Sequence, residues 1–239
     1  MKEKLGILDW GIGGFGLYRM LKASTDLSIT YFSDSGYTPY GKVDQSLLRI
    51  RVLNCINFLK RRKCTVVAIA CNAAGISVMD QGHPNIVNSG IRLIQDCKRK
   101  NIGVIGGETT IASKLFECDD EKTIFSQVAQ KMSAHIEVGN QYSGQALLDL
   151  EAILFPIKNV EALLLACTHY TAIAPTIKNL MNPEVMILDP TQKLAKELIS
   201  TYDFQEGNDE IITTGNVEEM KNAAKLAFNV QLEEIHRAI

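Results

Sequence analysis

The fold is decided by two similar stretches of sequence, VVAIACNA at positions 66–73 and ALLLACTH at positions 162–169. Each is a short, continuous apolar run that is followed at once by a cysteine and a polar residue. Continuous apolar runs of this length are typical of strands that are buried on both faces of a parallel sheet. Cys71 and Cys167 are therefore predicted to lie at the carboxyl ends of two buried strands.

Similar apolar runs recur along the chain and alternate with segments of helical periodicity. The predicted strands are 5–8, 29–32, 66–70, 102–105, 162–166 and 185–188, and the predicted helices are 45–62, 109–117, 141–154, 175–180, 191–201 and 217–235. A chain in which strand and helix alternate is typical of an α/β fold with right-handed crossovers.

The two cysteine stretches belong to a longer internal repeat. Cys167 follows Cys71 by 96 positions, and Gly103, in a second strand followed by glycines, follows Gly6 by 97. Because the two offsets agree, we predict two pseudo-symmetric lobes, each a parallel sheet flanked by helices, with the active site in the cleft between them. The charged stretch at 96–100 indicates where the first lobe ends.

Composition excludes several classes of protein. The 239 residues are 46% hydrophobic and 22% charged, with a net charge of −2, so we expect a folded chain without a nucleic-acid or membrane partner. The apolar run near the amino terminus is too short for a signal peptide, which predicts a cytoplasmic protein with reduced cysteines. The four histidines are scattered and no Cys-x-x-Cys pair occurs, so no metal site is expected.

Two thiols on opposite sides of one cleft would suit proton exchange at a carbon atom. A thiolate can act as the base on one face while a thiol acts as the acid on the other. The amide groups of a following helix are expected to stabilise each thiolate and lower the thiol pKa. Asn72 and Thr168 can donate hydrogen bonds to a carboxylate. The substrate would be a small acid with an acidic α-hydrogen, and the other four cysteines, Cys55, Cys64, Cys97 and Cys118, are expected to be structural.

Six motifs, taken together, are specific enough to indicate a family. In chain order they are Asp9-Trp10-Gly11-Ile12-Gly13-Gly14, Pro39-Tyr40-Gly41, Ala70-Cys71-Asn72, Gly103-Val104-Ile105-Gly106 with Thr110 and Ser113, Ile136-Glu137-Val138-Gly139, and Ala166-Cys167-Thr168-His169-Tyr170. With them, the chain from residue 5 to about 216 resembles the glutamate racemases of the aspartate/glutamate racemase superfamily.

The resemblance implies a cofactor-independent isomerase that interconverts L- and D-glutamate for peptidoglycan and cell wall biosynthesis, often as a homodimer. It implies that Cys71 and Cys167 transfer the proton, that Asp9, His169 and Glu137 assist them, and that the substrate is bound by Asp9, Trp10, Tyr40, Gly41, Asn72, Ala73, Thr168 and His169. In the family the end of the chain returns to the first lobe, which implies domains of 1–95 plus 205–239 and of 96–204.

Two residues depart from the family pattern at the predicted site. Trp10 stands where serine is usual, and Ala73 stands where threonine is usual. Each change removes a hydroxyl, and a hydrogen bond to a charged group contributes about 1.5 to 3 kcal/mol. Two alternatives therefore remain open, namely a racemase for another amino acid such as aspartate, and a non-catalytic binding protein on the same scaffold.

A dinucleotide-binding protein is a further alternative. Gly11, Gly13 and Gly16 match the Gly-x-Gly-x-x-Gly pattern after a predicted strand, and Asp34 lies near the position of a ribose-binding acid. Asp9 argues against it, because its charge would lie beside the incoming pyrophosphate.

Overall fold

Two parallel sheets with helices packed around them form the computed structural model, which describes residues 2–238. The strands are β1 (Leu5–Asp9), β2 (Ile29–Ser33), β3 (Val66–Ile69), β4 (Asn101–Gly106), β5 (Thr123–Val128), β6 (Ala162–Ala166), β7 (Met186–Leu188), β8 (Glu210–Thr213) and β9 (His236–Arg237). One sheet has the order β3-β1-β2-β8-β9 and the other β5-β4-β6-β7, and neighbouring strands are parallel in both. The predicted fold class is confirmed.

Helices connect successive strands and cover the sheets. They are α1 (Phe15–Ser24), α2 (Gln45–Arg61), α3 (Asn72–Ser77), α4 (Ile86–Asp96), α5 (Glu108–Ala112), α6 (Gln130–Glu137), α7 (Gly144–Leu154), α8 (Ala174–Leu180), α9 (Pro190–Thr201) and α10 (Val217–Phe228). We call the sheet that contains β1, with its helices, the first lobe, and the sheet that contains β4, with its helices, the second lobe. Helix α9 packs against α4 and α1 and so joins the two lobes away from the site.

The internal repeat is visible in strand order and register. The strands β3-β1-β2 of the first lobe correspond to β6-β4-β5 of the second. Leu5 pairs with Val66 between β1 and β3, and Ile102 pairs with Ala162 between β4 and β6. These partners are related by the same offsets of 97 and 96 positions that the sequence shows. The two cysteine-bearing strands therefore occupy equivalent places in the two sheets.

The first sheet takes its strands from both ends of the described chain, whereas the second takes them from 101–188. The domain boundaries inferred from the resemblance, at 95 and 204, stay a prediction. Strands β1, β2, β3 and β6 are buried along their whole length, which explains why each is a continuous apolar run.

Two predicted helices are longer than the structure allows. The helix predicted over 217–235 ends at Phe228, because Asn229 adopts a left-handed conformation (φ 53°) and the following chain turns back to form β9. The helix predicted over 109–117 is only Glu108–Ala112, and Lys114 (φ 55°) follows it in a left-handed conformation. Strand β5 was not predicted, because this edge strand is only partly buried and its sequence TIFSQV is half polar.

Asn85 braces the helix that begins directly after Cys71. Its side-chain oxygen accepts from the Val87 amide at the start of α4 (2.9 Å), and its side-chain nitrogen donates to the Gly75 carbonyl in α3 (2.9 Å). The side chain is 2% exposed, so neither bond can be replaced readily by water. Asn85 thus fixes α3 against α4.

We expect Asn85→Ala to lower the free energy of unfolding by about 2 to 3 kcal/mol, since it removes a helix cap and also one of the two hydrogen bonds to the Gly75 carbonyl. Asn216→Ala is the matched control, because Asn216 caps α10 in an exposed position and should cost about 1 kcal/mol. Urea unfolding of both variants measures the difference. Equal losses would contradict the bracing role of Asn85.

Candidate active site

A cavity lies where the carboxyl ends of β1, β3, β4 and β6 face one another between the lobes. The space between its walls is about 550 Å³, its open mouth included. The sequence-predicted residues that line it are Asp9, Trp10, Tyr40, Gly41, Cys71, Asn72, Ala73, Cys167, Thr168 and His169. Glu137 is the one predicted site residue that does not line this cavity, and it contacts His169 from behind.

Cys71 lies at the amino-terminal end of α3, in the wall of the cavity that belongs to the first lobe. Burial and then the neighbouring charge of Asp9 raise the pKa of its thiol, while the amides of Ala74 and Ala73 act in the opposite direction. The expectation that helix amides would lower this pKa is therefore wrong for Cys71, because desolvation outweighs them. Cys71 is a protonated thiol near neutral pH.

Cys167 lies in the opposite wall and has a different environment. Its sulfur is 3.7 Å from Nδ1 of His169, and Nε2 of the same ring is 2.6 Å from Oε2 of Glu137. Burial alone would lower the pKa of His169, but the hydrogen bonds to Cys167 and Glu137 raise it well above its ordinary value of 6.5. The ring is therefore positively charged, and Cys167 has a cationic donor beside it.

Asp9 ends β1 and is almost completely buried beneath the cavity. Its carboxylate accepts a hydrogen bond from the Gly11 amide (2.9 Å) and one from the hydroxyl of Thr168 in the other lobe (3.1 Å). Burial raises the pKa of Asp9, whereas the nearby charge of His169 lowers it. The charges of the Asp9 carboxylate and the His169 imidazolium are therefore electrostatically coupled.

Asn72 has an unusual environment for a buried side chain. It is 4% exposed and lines the cavity, yet both its side-chain nitrogen and its side-chain oxygen lack a hydrogen-bond partner among residues 2–238. Buried amides in native proteins are almost always hydrogen-bonded, because an unpaired one costs about 1 to 3 kcal/mol. A polar ligand in the cavity would supply the missing partner.

The glycine-rich turn after β1 packs against the second lobe. A side-chain carbon at Gly11 would overlap the carboxylate of Glu137, and one at Gly13 would overlap the side chains of Thr168 and His169. The Ile12 amide donates to Glu137 (3.1 Å). A carboxylate therefore occupies the space in which a dinucleotide-binding protein holds its pyrophosphate.

Asp34, which the dinucleotide alternative assigns to ribose binding, already forms hydrogen bonds with other side chains of the protein. It is fully buried and accepts hydrogen bonds from Arg51 (2.5 and 2.8 Å) and from the hydroxyl of Tyr40 (2.7 Å). It therefore does not present a free carboxylate to a ribose, and the geometry favours the racemase interpretation.

Sequence reasoning missed several polar residues of the cavity. They are Thr109, Gln130 and Ser133, and the latter two lie on α6 directly after the unpredicted strand β5. Gln130 donates to Ser133 (3.0 Å) and accepts from the Glu108 amide (3.3 Å), while the Thr109 hydroxyl donates to the Gly41 carbonyl across the cleft (3.0 Å). Recognising β5 would have identified Gln130, because polar residues after parallel strands are the usual site candidates.

Residues 2–238 contain neither a cluster of metal-ligating side chains nor a membrane-spanning helix. No group of three or more histidine, cysteine, aspartate or glutamate side chains is arranged to hold a metal ion. No helix in this part of the chain is both long and apolar enough to span a membrane.

Comparison with known proteins identifies relatives of the chain. No family model matches it. A glutamate racemase from Aliarcobacter butzleri is 29% identical over 216 residues, which covers 82% of this chain and 83% of the relative. The chain is similar in sequence to glutamate racemases over most of its length. The resemblance inferred from the six motifs is thereby confirmed.

Solved structures show that the chain has the same fold as glutamate racemases. A glutamate racemase isoform from Bacillus anthracis superimposes with a TM-score of 0.87 at 24% identity, covering 99% of this chain and 96% of the other. An aspartate racemase from Picrophilus torridus gives a TM-score of 0.65 at 18% identity, covering 87% and 96%. The aspartate racemase is thus the more distant of these two structures.

We expect Gly11→Ala to lower the free energy of unfolding by about 1 to 3 kcal/mol and to reduce activity, because the new methyl group would displace Glu137 from His169. Gly144→Ala is the control, since a methyl group there meets no atom within 4 Å. Thermal unfolding and a racemisation assay measure both effects. Tolerance of alanine at Gly11 would contradict the packing role of the turn.

The charge of His169 predicts a pH effect. The ring should stay protonated at pH 7 in the wild type, and Glu137→Gln should lower its pKa, because burial then opposes a weaker set of hydrogen bonds. The contribution of protonated His169 to the free energy of unfolding is complete below pH 6.5, where the folded and the unfolded state both bind the proton. This contribution is lost as the pH rises through the raised pKa of His169 in the folded state.

Nitrogen NMR of the imidazole rings measures this titration. His83 is the internal reference, because burial and then Lys60 lower its pKa, so its ring should lose its proton at a lower pH. A His169 ring that titrates together with His83 would contradict the ion pair.

Proposed function

We propose that the protein interconverts L- and D-glutamate by exchanging the α-proton between Cys71 and Cys167. The observation that carries the proposal is that both thiols line one cavity, at equivalent positions in the two lobes. Homology to the glutamate racemases supports the choice of glutamate.

The reaction needs one base and one acid on opposite faces of Cα. A thiolate takes the α-proton, so that an S–H bond forms as the Cα–H bond breaks and the electron pair stays on the substrate. The opposing thiol then gives its proton to Cα from the other face and becomes a thiolate. The product has inverted configuration, and the two sulfurs have exchanged protonation states, which suits the reverse reaction.

The environments of the two sulfurs suggest their resting roles. Cys71 is held as a thiol by burial and by Asp9, so it starts as the acid. The sulfur of Cys167 lies 3.7 Å from the imidazolium of His169, and a positive charge there stabilises the thiolate that acts as the base. Glu137 keeps that imidazolium protonated and correctly oriented through its 2.6 Å contact.

The polar groups of the cavity can hold the amino acid around its α-carbon. The unpartnered amide of Asn72 can donate to the α-carboxylate, and withdrawal of charge by such a bond eases loss of the α-proton. Asp9 and Thr168, joined beneath the cavity, offer acceptors to the α-ammonium group. Tyr40 and Gly41 form another part of the cavity wall.

Aspartate or another amino acid stays the alternative substrate, because Trp10 and Ala73 lack the hydroxyl groups that the glutamate racemase pattern has at these two positions. A non-catalytic binding protein is disfavoured, since binding alone gives no reason for two thiols in opposite walls. The reaction as drawn uses no cofactor, because the two sulfurs supply the base and the acid. A cytoplasmic location, a role in peptidoglycan biosynthesis and a homodimer stay predictions.

The proposal is tested by incubating single enantiomers of glutamate and aspartate with the protein in heavy water. We expect L-glutamate to give D-glutamate that carries deuterium at Cα, while unreacted L-glutamate keeps its hydrogen early in the reaction, because each face has its own proton donor. NMR and chiral chromatography measure the two pools. Faster exchange of aspartate would favour the alternative substrate, and no exchange with either would contradict a glutamate or aspartate racemase.

Substitution of each thiol tests its role. Cys71→Ser and Cys167→Ser should each reduce racemisation by at least about 100-fold, because a hydroxyl is a much weaker acid than a thiol. Cys97→Ser is the control, since Cys97 lies at the end of α4 outside the cavity and should keep full activity. Full racemisation after either cavity substitution would remove that cysteine from the mechanism.

A further inference from the structure

The single tryptophan of the chain stands between two cavities. Trp10 lines the catalytic cavity, and it also lines a neighbouring cavity formed with Ser35, Glu137, Val138 and residues of α10. Since Trp10 is common to both linings, its indole divides the space at this end of the cleft.

The indole of Trp10 is held by the main chain of Tyr37, and the Tyr37 side chain is held in turn by its neighbours. Its N–H group donates to the Tyr37 carbonyl (3.0 Å), and the Tyr37 ring meets the Tyr40 ring edge to face at 6.3 Å between centroids. The guanidinium of Arg51 lies over the Tyr37 ring (4.8 Å) and is itself held by the buried carboxylate of Asp34. We call Trp10, Tyr37 and Tyr40 the aromatic wall.

The aromatic wall restricts the shape of a ligand in the catalytic cavity. Its side chains that line this cavity have no free hydrogen-bonding group. The indole N–H group is used by the Tyr37 carbonyl, and the Tyr40 hydroxyl is used by Asp34 (2.7 Å). Selection of a substrate at this wall therefore depends on size. Because the wall is anchored at both ends, it cannot move aside at low cost for a longer side chain.

We propose that Trp10 is a specificity-determining residue that sets the upper size limit of the substrate side chain. The limit admits glutamate and excludes acidic amino acids that are one methylene longer. This inference rests on the proposed function, because it describes the same cavity. It gives the departure of Trp10 from the family pattern a physical role.

The test compares L-glutamate with L-2-aminoadipate, which is one methylene longer, in the wild type, Trp10→Ser and Trp10→Phe. We expect Trp10→Ser to raise the ratio of kcat/KM for aminoadipate to that for glutamate by about 10-fold or more, which is the usual effect of one methylene in a pocket. Trp10→Phe keeps most of the ring and should leave this ratio near that of the wild type. Circular dichroism verifies that both variants fold.

A second measurement needs no variant. Since Trp10 is the chain's single tryptophan, its fluorescence reports directly on the wall of the cavity. Glutamate should change the emission of the wild type in a saturable way, whereas aminoadipate at the same concentrations should not. This titration decides the question if Trp10→Ser does not fold.

The outcomes separate the inference from the proposed function. An unchanged ratio in folded Trp10→Ser, or equal use of both amino acids by the wild type, overturns the size limit while leaving the racemase in place. Equal fluorescence responses to both amino acids overturn it as well. A wild-type protein that exchanges the α-proton of neither amino acid overturns both.

Discussion

The hydrogen bond from Thr168 to Asp9 joins the end of β6 in one lobe to the end of β1 in the other, and the site depends on this junction. Around it the lobes approach so closely that the turn after β1 has no room for side chains at Gly11 and Gly13. The approach excludes water from Asp9 and His169, so charges there interact strongly. Burial raises the pKa of Asp9 and of Cys71, whereas the hydrogen bonds of His169 to Cys167 and Glu137 overcome burial and raise its pKa.

The two lobes are symmetric in backbone and asymmetric in electrostatics. Cys71 and Cys167 follow equivalent strands, yet one sulfur lies near a buried carboxylate and the other near an imidazolium. The duplicated backbone places a thiol on each side of the cavity. The side chains that were not duplicated, Asp9 and His169, then distinguish the two sides, because one sulfur has an acidic neighbour and the other a cationic one.

The sequence was sufficient to predict the two lobes, because buried parallel strands leave continuous apolar runs and the two offsets agreed within one residue. It was also sufficient to nominate Cys71, Asn72 and Cys167, since each directly follows a strand. It could not predict the contact of Glu137 with His169, because the two residues come from separate elements and are 32 positions apart. Gln130 was missed because the partly buried strand before it carries no clear pattern.

The route of the chain through the two sheets affects how the molecule can assemble. The second lobe takes all its strands from 101–188, so its contacts are comparatively local. The first lobe requires β8 to pair with β2, and Thr30 and its partner Glu210 are 180 positions apart. Closing so long a loop is entropically costly, but a folded second lobe shortens the effective loop. The first sheet therefore cannot be completed until β8 and β9, which follow the whole second lobe in the chain, are available to pair with β2.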